Sequence, residues 1–570
     1  MPAAVPPSYA TEPRDLDAAV QRLRAAAPAF AEMPLAERIA LAHAMHRGAA
    51  RVAERLVRAS CAAKGVPFDS PQAGEEWLSG PYVIARVLRQ LARALTLLER
   101  NGNIPIGRLG ETSDGRLAVR VFPGNRLDHL LFPGVHADVH LQPDVTVEQL
   151  HATRASFYRS PPHGGRVCLV LGAGNVNSIP PTDLASKLFN EGKVCLLKMN
   201  PVNAYVGPFI EEAFADAIER GFLAVVYGGA EEGAYLARHP GIDELHITGS
   251  DRTHDLLVWG PPGPERAERM ARGAPLLAKP ITSELGNVSP VLVVPGDWDA
   301  RTLAFQAEDV AGMVTHNASF NCNAAKMLVT ARGWRQRDAF LAEVERFLAL
   351  APARSAWYPG AFERYRALTE GRPSLRQIGE GEGALPWTLV VGLDPGHEDE
   401  PAFRTEPFCS ILSETSVGSD DPVDFLARAV AFANERLWGT LSAQLLIHPR
   451  TLADPAVRRA LDGALRDLRY GTVAVNCWAG YGFAAGTTPW GAYPGAPLTD
   501  IQSGRGFVHN TLMLEGVEKT VIRHPAIAFP KPPHFPSHRT ANEVARRLVE
   551  LEAGRGWRAV PGLLAAALRG

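Results

Sequence analysis

Cysteine is scarce in this chain, with six in 570 residues. Cys61, Cys168, Cys195, Cys322, Cys409 and Cys477 form no Cys-x-x-Cys pair. That argues against a disulfide framework and against a zinc site, and it favours a reducing, cytoplasmic setting. Net charge is nearly absent too, at −2, so nothing electrostatic points to nucleic acid or an anionic membrane as partner. No run of about 18 apolar residues occurs, and Met1 to Arg14 has no basic segment followed by an apolar core, so neither membrane insertion nor export is expected. Lysine is rare as well, with eight against 51 arginines. A lysine here is less readily dismissed as generic surface charge.

What is present is ordinary globular composition, 46% hydrophobic and 21% charged, in a chain too long for one core. Apolar residues recur at helical spacing over 15–63 and 77–100. From Arg166 to Ile247, short apolar runs (Val167 to Leu171, Val194 to Leu197, Leu223 to Val226, Leu245 to Ile247) alternate with helical patterns at Pro181 to Phe189 and Val206 to Glu219. Such alternation predicts a parallel sheet that binds ligands beyond its strand C-terminal ends. After a Gly/Pro-rich insertion at 260–275 the alternation resumes over 291–447, predicting a second α/β lobe. The segment 471–506 is rich in Gly, Pro and aromatics. A strand follows at 516–522, then a Pro-rich stretch and a helix over 541–553.

Several residues in this layout can carry chemistry. The turn Gly172-Ala173-Gly174-Asn175-Val176-Asn177 opens a helix after a strand; it reads equally as a plain tight turn, but Asn175 at its tip could donate to an oxyanion. Lys198 ends the next strand, where it reaches ribose or phosphate or is simply solvated. Thr248-Gly249-Ser250 is a small-residue turn whose N–H groups can face phosphates. Glu284 is either a loop carboxylate or a base. Cys322, flanked by Asn317, Ser319, Asn321 and Asn323, is too polar in its surroundings for a core thiol. With Ala324-Ala325-Lys326 read as helical, the expectation is a thiolate favoured by a helix N-terminus. Glu406 and Phe408 lie side by side in a loop. Together Cys322 and Glu284 supply a nucleophile and a base for thioester chemistry.

In their order and spacing these segments resemble the aldehyde dehydrogenase superfamily, from about Asp15 to about Val521. The segments are Asn175, Lys198, Thr-Gly-Ser at 248–250, Glu-Leu-Gly at 284–286, Asn317…Cys322-x-Ala324, Glu406-Pro407-Phe408, Ala433-Asn434-Glu435…Trp438-Gly439 and Gly471-Thr472-Val473…Asn476. The resemblance implies an α/β fold of two parallel-sheet, Rossmann-like lobes plus a small β-flap used in oligomerisation. Residues 1–142 and 166–285 would bind NAD or NADP, 286–502 would be catalytic, 143–165 with 503–525 would form the flap of a homodimer or homotetramer, and 526–570 would be an extension. It further implies Cys322 as the thiol that forms a thiohemiacetal, Asn175 and the Cys322 N–H as oxyanion donors, and Glu284 as base for thioester hydrolysis. Lys198 would hold the adenosine ribose, Gly249 and Ser250 the pyrophosphate, and Glu406 with Phe408 the nicotinamide ribose and ring. No metal is implied. Phe320, Trp478, Tyr481, Phe483 and Trp490 either line a tunnel for an apolar or aromatic aldehyde or pack the lobe boundary.

The chain departs from the family pattern at Pro201, where an acid that rejects NADP often stands, at Gly286-Asn287 in place of Gly-Gly, and at His254 in place of a helix-start glycine. The insertion and the tail after Ala526 lie outside the pattern. A CoA-acylating dehydrogenase on the same scaffold is the alternative function, against which Glu284 argues. A noncatalytic scaffold would have been free to lose Asn175, Glu284 or Cys322, and it has all three.

Overall fold

The computed structural model describes residues 10–160, 164–372 and 374–570. The extreme N-terminus considered above, and residues 161–163 of the expected flap, lie outside the described residues.

Two helices, Pro13–Ala31 and Leu35–Lys64, open the chain. Each starts where proline can sit without losing a backbone donor, at Pro13 inside the first turn and Pro34 at the cap. The second ends because Gly65 takes a left-handed conformation (φ 66°) and returns its N–H to Ala62 and Cys61. That stop leaves Lys64, buried, in the last turn. Helix Val83–Asn101 packs beside it with Val87, Leu88, Leu91 and Leu95 turned into the core.

The first lobe is a six-stranded sheet in the order Gly504–Arg505, Ile281–Glu284, Glu244–Thr248, Val167–Leu171, Val194–Lys198, Leu223–Val226. All neighbours but the first pair run parallel. Its strands Val167–Leu171 and Val194–Lys198 are buried and almost wholly apolar, as a sheet covered on both sides requires. The order reverses between Val167–Leu171 and Glu244–Thr248. Such a reversal opens a crevice at the strand C-terminal ends. Asn175, Lys198, Gly249 and Glu284 all follow or end strands on that edge. The expected helix over 206–219 is broken into Pro201–Val206, Gly207–Ala213 and Ala215–Glu219, with Phe214 in a non-helical conformation between the last two.

The second sheet has eleven strands. Its parallel centre runs through Thr472–Val475, Ser442–Leu446, Pro290–Val293, Met327–Ala331 and Ile411–Val417. Val517–Arg523 continues it in parallel beside Thr472–Val475, and that end is then extended antiparallel by His136–Leu141, Leu117–Phe122 and Leu109–Glu111. The strand mates of 517–523 are therefore 136–141 and 472–475, and the segment expected to join it in a flap carries helices instead, at Val147–Thr153 and Ser156–Arg159. The reason is local: Thr146 and Gln149 form a reciprocal capping box that starts a helix. The insertion at 260–275 carries a helix, Pro264–Arg272, with no buried residue.

The tail folds back onto the N-terminal helices. Glu552, buried, receives Arg86 Nη1 at 2.8 Å and Arg89 Nε at 2.6 Å, and its carbonyl oxygen lies 2.9 Å from His46 Nε2. Helix Ala541–Glu550 approaches the backbone so closely at Gly74 that a Cβ there would lie 2.8 Å from the Ala541 carbonyl carbon. Among the described residues no helix is long and apolar enough to cross a membrane.

Candidate active site

Cys322 is the one cysteine that is not buried; all six are free. It is not at a helix N-terminus: 323–326 form a turn that leads into strand Met327–Ala331. The run of alanines and lysine that suggests a helix is instead pulled into the sheet, where Met327 pairs with Pro290 and Ser413. Without a helix dipole, burial dominates, and it pushes the thiol well above its ordinary pKa, with the Glu284 carboxylate adding to the rise and Lys326 opposing it. The thiol is thus held protonated, with a carboxylate as its neighbour.

Glu284 is that neighbour. It ends its strand, is 3% exposed, and stands close enough to the Cys322 thiol and to Trp490 for both to lower its pKa, while its Oε1 has no hydrogen-bond partner among the described residues. Burial first, and the Asp183 and Glu406 carboxylates after it, raise its pKa to about 7. A carboxyl so placed exchanges protons near neutral pH.

The backbone around the thiol is tightly held. The Cys322 carbonyl accepts from Ser289 Oγ at 3.1 Å and Lys326 Nζ at 2.9 Å. Its N–H makes no hydrogen bond among the described residues. Just before it, Asn317, Ala318 and Ser319 all have positive φ (55°, 53° and 69°). Such conformations cost roughly 1–3 kcal/mol each and persist only where the surroundings enforce them. Here Asn317 is the peg. Its N–H donates to Glu75 Oε2 (2.9 Å), and its Nδ2 donates to Asn175 O, Phe320 O and Asn321 Oδ1 at 3.0–3.1 Å. Its Oδ1 accepts from Lys64 Nζ at 3.0 Å. Lys64 is itself paired with Glu76 at 2.9 Å. Asn175 Nδ2 donates to Phe320 O at 3.0 Å, which leaves one amide proton uncommitted on the side of the cleft it lines with Cys322.

Lys64 and Glu76 carry no signal in the sequence beyond the rarity of lysine, because their partners are brought in by tertiary packing, and Asn317 and Lys326 stand out there only as flanks of Cys322.

Cys322 lines two cavities. One, of about 1140 Å³, also contains Asn175, Lys198, Gly249, Ser250, Glu284, Glu406 and Phe408 among its walls. Lys198 is 7% exposed, its ammonium makes no hydrogen bond among the described residues, and burial lowers its pKa to about 8 against the pull of Glu232. A buried donor without an acceptor is suited to a ligand hydroxyl or phosphate. Ser250 caps helix Asp251–Trp259, its hydroxyl accepting from Thr253 N at 3.2 Å, so the helix N-terminus opens onto the same cleft. His254 is buried in that helix and does not line the cleft. Glu406 accepts from Asn287 N at 3.2 Å and from Lys326 Nζ. Phe408 has φ 40° and packs edge-on against Tyr358. The donors, carboxylate and aromatic face fit a dinucleotide.

The other cavity, about 460 Å³, is mostly apolar and is walled by Val176, Trp478, Tyr481 and Phe483 together with tail residues Phe529, His534 and Leu563. Of the expected tunnel aromatics, Phe320 and Trp490 line neither cavity. Phe320 packs with Trp357, Tyr358 and Phe408, and Trp490 stacks edge-on against Phe483 behind Glu284. Both are about 1% exposed, drawn into the core by their area. Among the described residues no cluster of ligands for a metal ion occurs.

No protein-family model matches the chain. The N-succinylglutamate 5-semialdehyde dehydrogenase of Ectopseudomonas mendocina is 29% identical over 195 residues, which is 34% of this chain and 36% of that protein. The 4-trimethylaminobutyraldehyde dehydrogenase of Homo sapiens is 28% identical over 182 residues, 32% of this chain and 33% of that one. The chain thus spans about a third of the length of the curated relatives it matches. Structural likeness extends further: the NADP-dependent glyceraldehyde-3-phosphate dehydrogenase of Bacillus halodurans, in complex with NADP, aligns with a TM-score of 0.59 and 18% identity over 90% of this chain and 92% of its own. The fold is that of the aldehyde dehydrogenase superfamily.

Proposed function

We propose that this chain is an NAD(P)-dependent aldehyde dehydrogenase that oxidises an apolar or aromatic aldehyde to its carboxylic acid through Cys322. The observation that carries this reading is that Cys322 borders both cavities, one suited to a dinucleotide and one apolar, with Glu284 against its thiol. The Cys322 sulfur adds to the aldehyde carbon as a thiohemiacetal, the thiol proton passing to solvent, so that Glu284 stays available for the later hydrolysis. The oxyanion is met by the free N–H of Cys322 and the uncommitted proton of Asn175. NAD or NADP, when bound, accepts the hydride and so leaves an acyl thioester on Cys322. Lys198, Gly249, Ser250, Glu406 and Phe408 hold it, Glu406 being presented by Lys326. Glu284 then takes a proton from water as the water attacks the thioester. Strand Leu109–Glu111 stands at the open edge of the second sheet, where a partner copy would pair.

Water rather than CoA as the acyl acceptor is supported by Glu284, whose pKa of about 7 suits a base at neutral pH. The test is to incubate the protein with a medium-chain aldehyde and NAD+ or NADP+, with and without CoA, and to follow reduced nucleotide together with acid or thioester. Acid formation without CoA is expected. Reduction that requires CoA would overturn hydrolysis.

A further inference from the structure

The cavity on the acyl side of Cys322 is mostly apolar; of the charged side chains on its wall, Arg86 is paired with Asp128 and Glu552, and Lys531 Nζ donates to Ser537 Oγ at 2.7 Å. His316 and His534 both pack against Trp478, with ring centroids 5.0 Å and 5.5 Å from the indole. His534 belongs to the tail beyond the part of the chain that follows the family pattern. Both imidazoles line the cavity and are at least nine-tenths buried. Neither His316 Nε2 nor His534 Nδ1 has a hydrogen-bond partner among the described residues.

Their tautomers follow from fixed neighbours. Lys64 has only protons to give, so Asn317 Oδ1 is the acceptor and Asn317 Nδ2 the donor. Asn321 Oδ1 therefore accepts from Asn317 (3.1 Å), and Asn321 Nδ2 donates to His316 Nδ1 (3.2 Å). Burial holds His316 neutral, with its pKa lowered to about 4. Its remaining proton is accordingly on Nε2, a donor. For the other ring, Asp309, itself buried, accepts from His534 Nε2 at 2.7 Å. In the neutral ring this leaves Nδ1 as an acceptor.

One donor and one acceptor beside an indole complement a group that both gives and takes a hydrogen bond. A carboxylate cannot donate to His534, and an ammonium cannot accept from His316. We propose that this cavity takes an aldehyde whose apolar body carries a hydroxyl group, bonded between His316 and His534. The proposal rests on the reading of Cys322 as the residue that receives the aldehyde, and it makes the tail a specificity element of the site.

The test uses matched pairs: 4-hydroxycinnamaldehyde against cinnamaldehyde, and 4-hydroxybenzaldehyde against benzaldehyde, with 4-carboxybenzaldehyde as the charged control. Equilibrium dissociation constants are measured by calorimetry on the full chain carrying Cys322→Ala, and kcat/KM on the unmodified protein. In at least one pair the hydroxylated aldehyde is expected to bind about tenfold more tightly, the carboxylated one more weakly than benzaldehyde, and His534→Phe or His316→Phe to cut the hydroxyl preference to about twofold or less. Equal affinity within both pairs in the protein with both histidines intact would overturn the proposal, whatever the variants do. A binding preference without turnover of any aldehyde would uphold it and sink the oxidation reading instead.

Discussion

Glu284 stands against Cys322 and the two act on each other with opposite sign: the carboxylate raises the thiol's pKa, whereas the thiol lowers that of the carboxyl against the larger effect of burial. The thiol thus stays protonated at rest, beside a carboxyl whose pKa of about 7 lets it exchange protons near neutral pH, and both stand where the two cavities meet.

Glu284→Gln removes the base while keeping the shape. We expect a first-turnover burst of reduced nucleotide to persist and steady-state turnover to fall by about 10²–10⁴-fold. In the unmodified protein, kcat rises with pH through about 7, because the protonated carboxyl cannot accept from water. The variant loses that limb. Rapid-mixing fluorescence of the reduced nucleotide across pH measures both.

The same substitution has a stability signature. A carboxyl whose folded pKa lies above its unfolded one contributes stability that is full below the unfolded value and lost as pH rises through about 7. Glu284→Gln should thus raise Tm at pH 8 relative to the parent and lose that advantage at pH 4.5, which calorimetric scans at the two pH values check.

Lys64 joins Glu76, Asn317 and the Asn175 carbonyl in one buried knot. Lys64→Met leaves Glu76 buried without its cation and should cost about 3–5 kcal/mol in denaturant unfolding. Adding Glu76→Gln should recover much of that stability. It should not recover kcat, because Asn317 and Asn175 still lack their peg; a double variant with parental kcat would show that the knot is purely structural.

Two glycines separate space from chemistry. At Gly286 an added Cβ would lie 2.1 Å from Glu406 Oε2, so Gly286→Ala must displace Glu406. At Gly249 the nearest atom to an added Cβ is Ile247 Cγ1 at 3.6 Å, an ordinary contact. Gly286→Ala is expected to raise the cofactor KM about tenfold, and Gly249→Ala to leave Tm unchanged while raising the same KM if a pyrophosphate lies there. Initial rates at varied nucleotide and thermal melts read both.

The parts of the site visible in sequence are those carried on strand ends. Asn175, Lys198, Gly249 and Glu284 follow apolar strands whose periodicity is plain, so the crevice edge could be drawn before any coordinates. The turn after Cys322 was misread because Ala-Ala-Lys favours a helix locally, whereas pairing with two strands overrides propensity. The segment 143–165 was misread because seven residues of helix give too little periodicity to identify, although its capping box was there to find. Lys64 and Glu76 were illegible for a different reason. Their roles exist only once helix Leu35–Lys64 is laid against the loops at Asn175 and Asn317, and no spacing along the chain records that contact. The tail's part in the apolar cavity is likewise a matter of where Glu552 anchors it, on Arg86 and Arg89.

The most direct test of the central claim is the mass of Cys322 itself. Glu284→Gln protein is incubated with 4-hydroxycinnamaldehyde or octanal and NAD+ or NADP+, quenched in acid and digested. The peptide containing Cys322 should gain the mass of the aldehyde less two hydrogens, in step with nucleotide reduction, and Cys322→Ala should show neither. Nucleotide reduction without an acyl group on Cys322, or with the acyl group on any of the five buried cysteines, would contradict it.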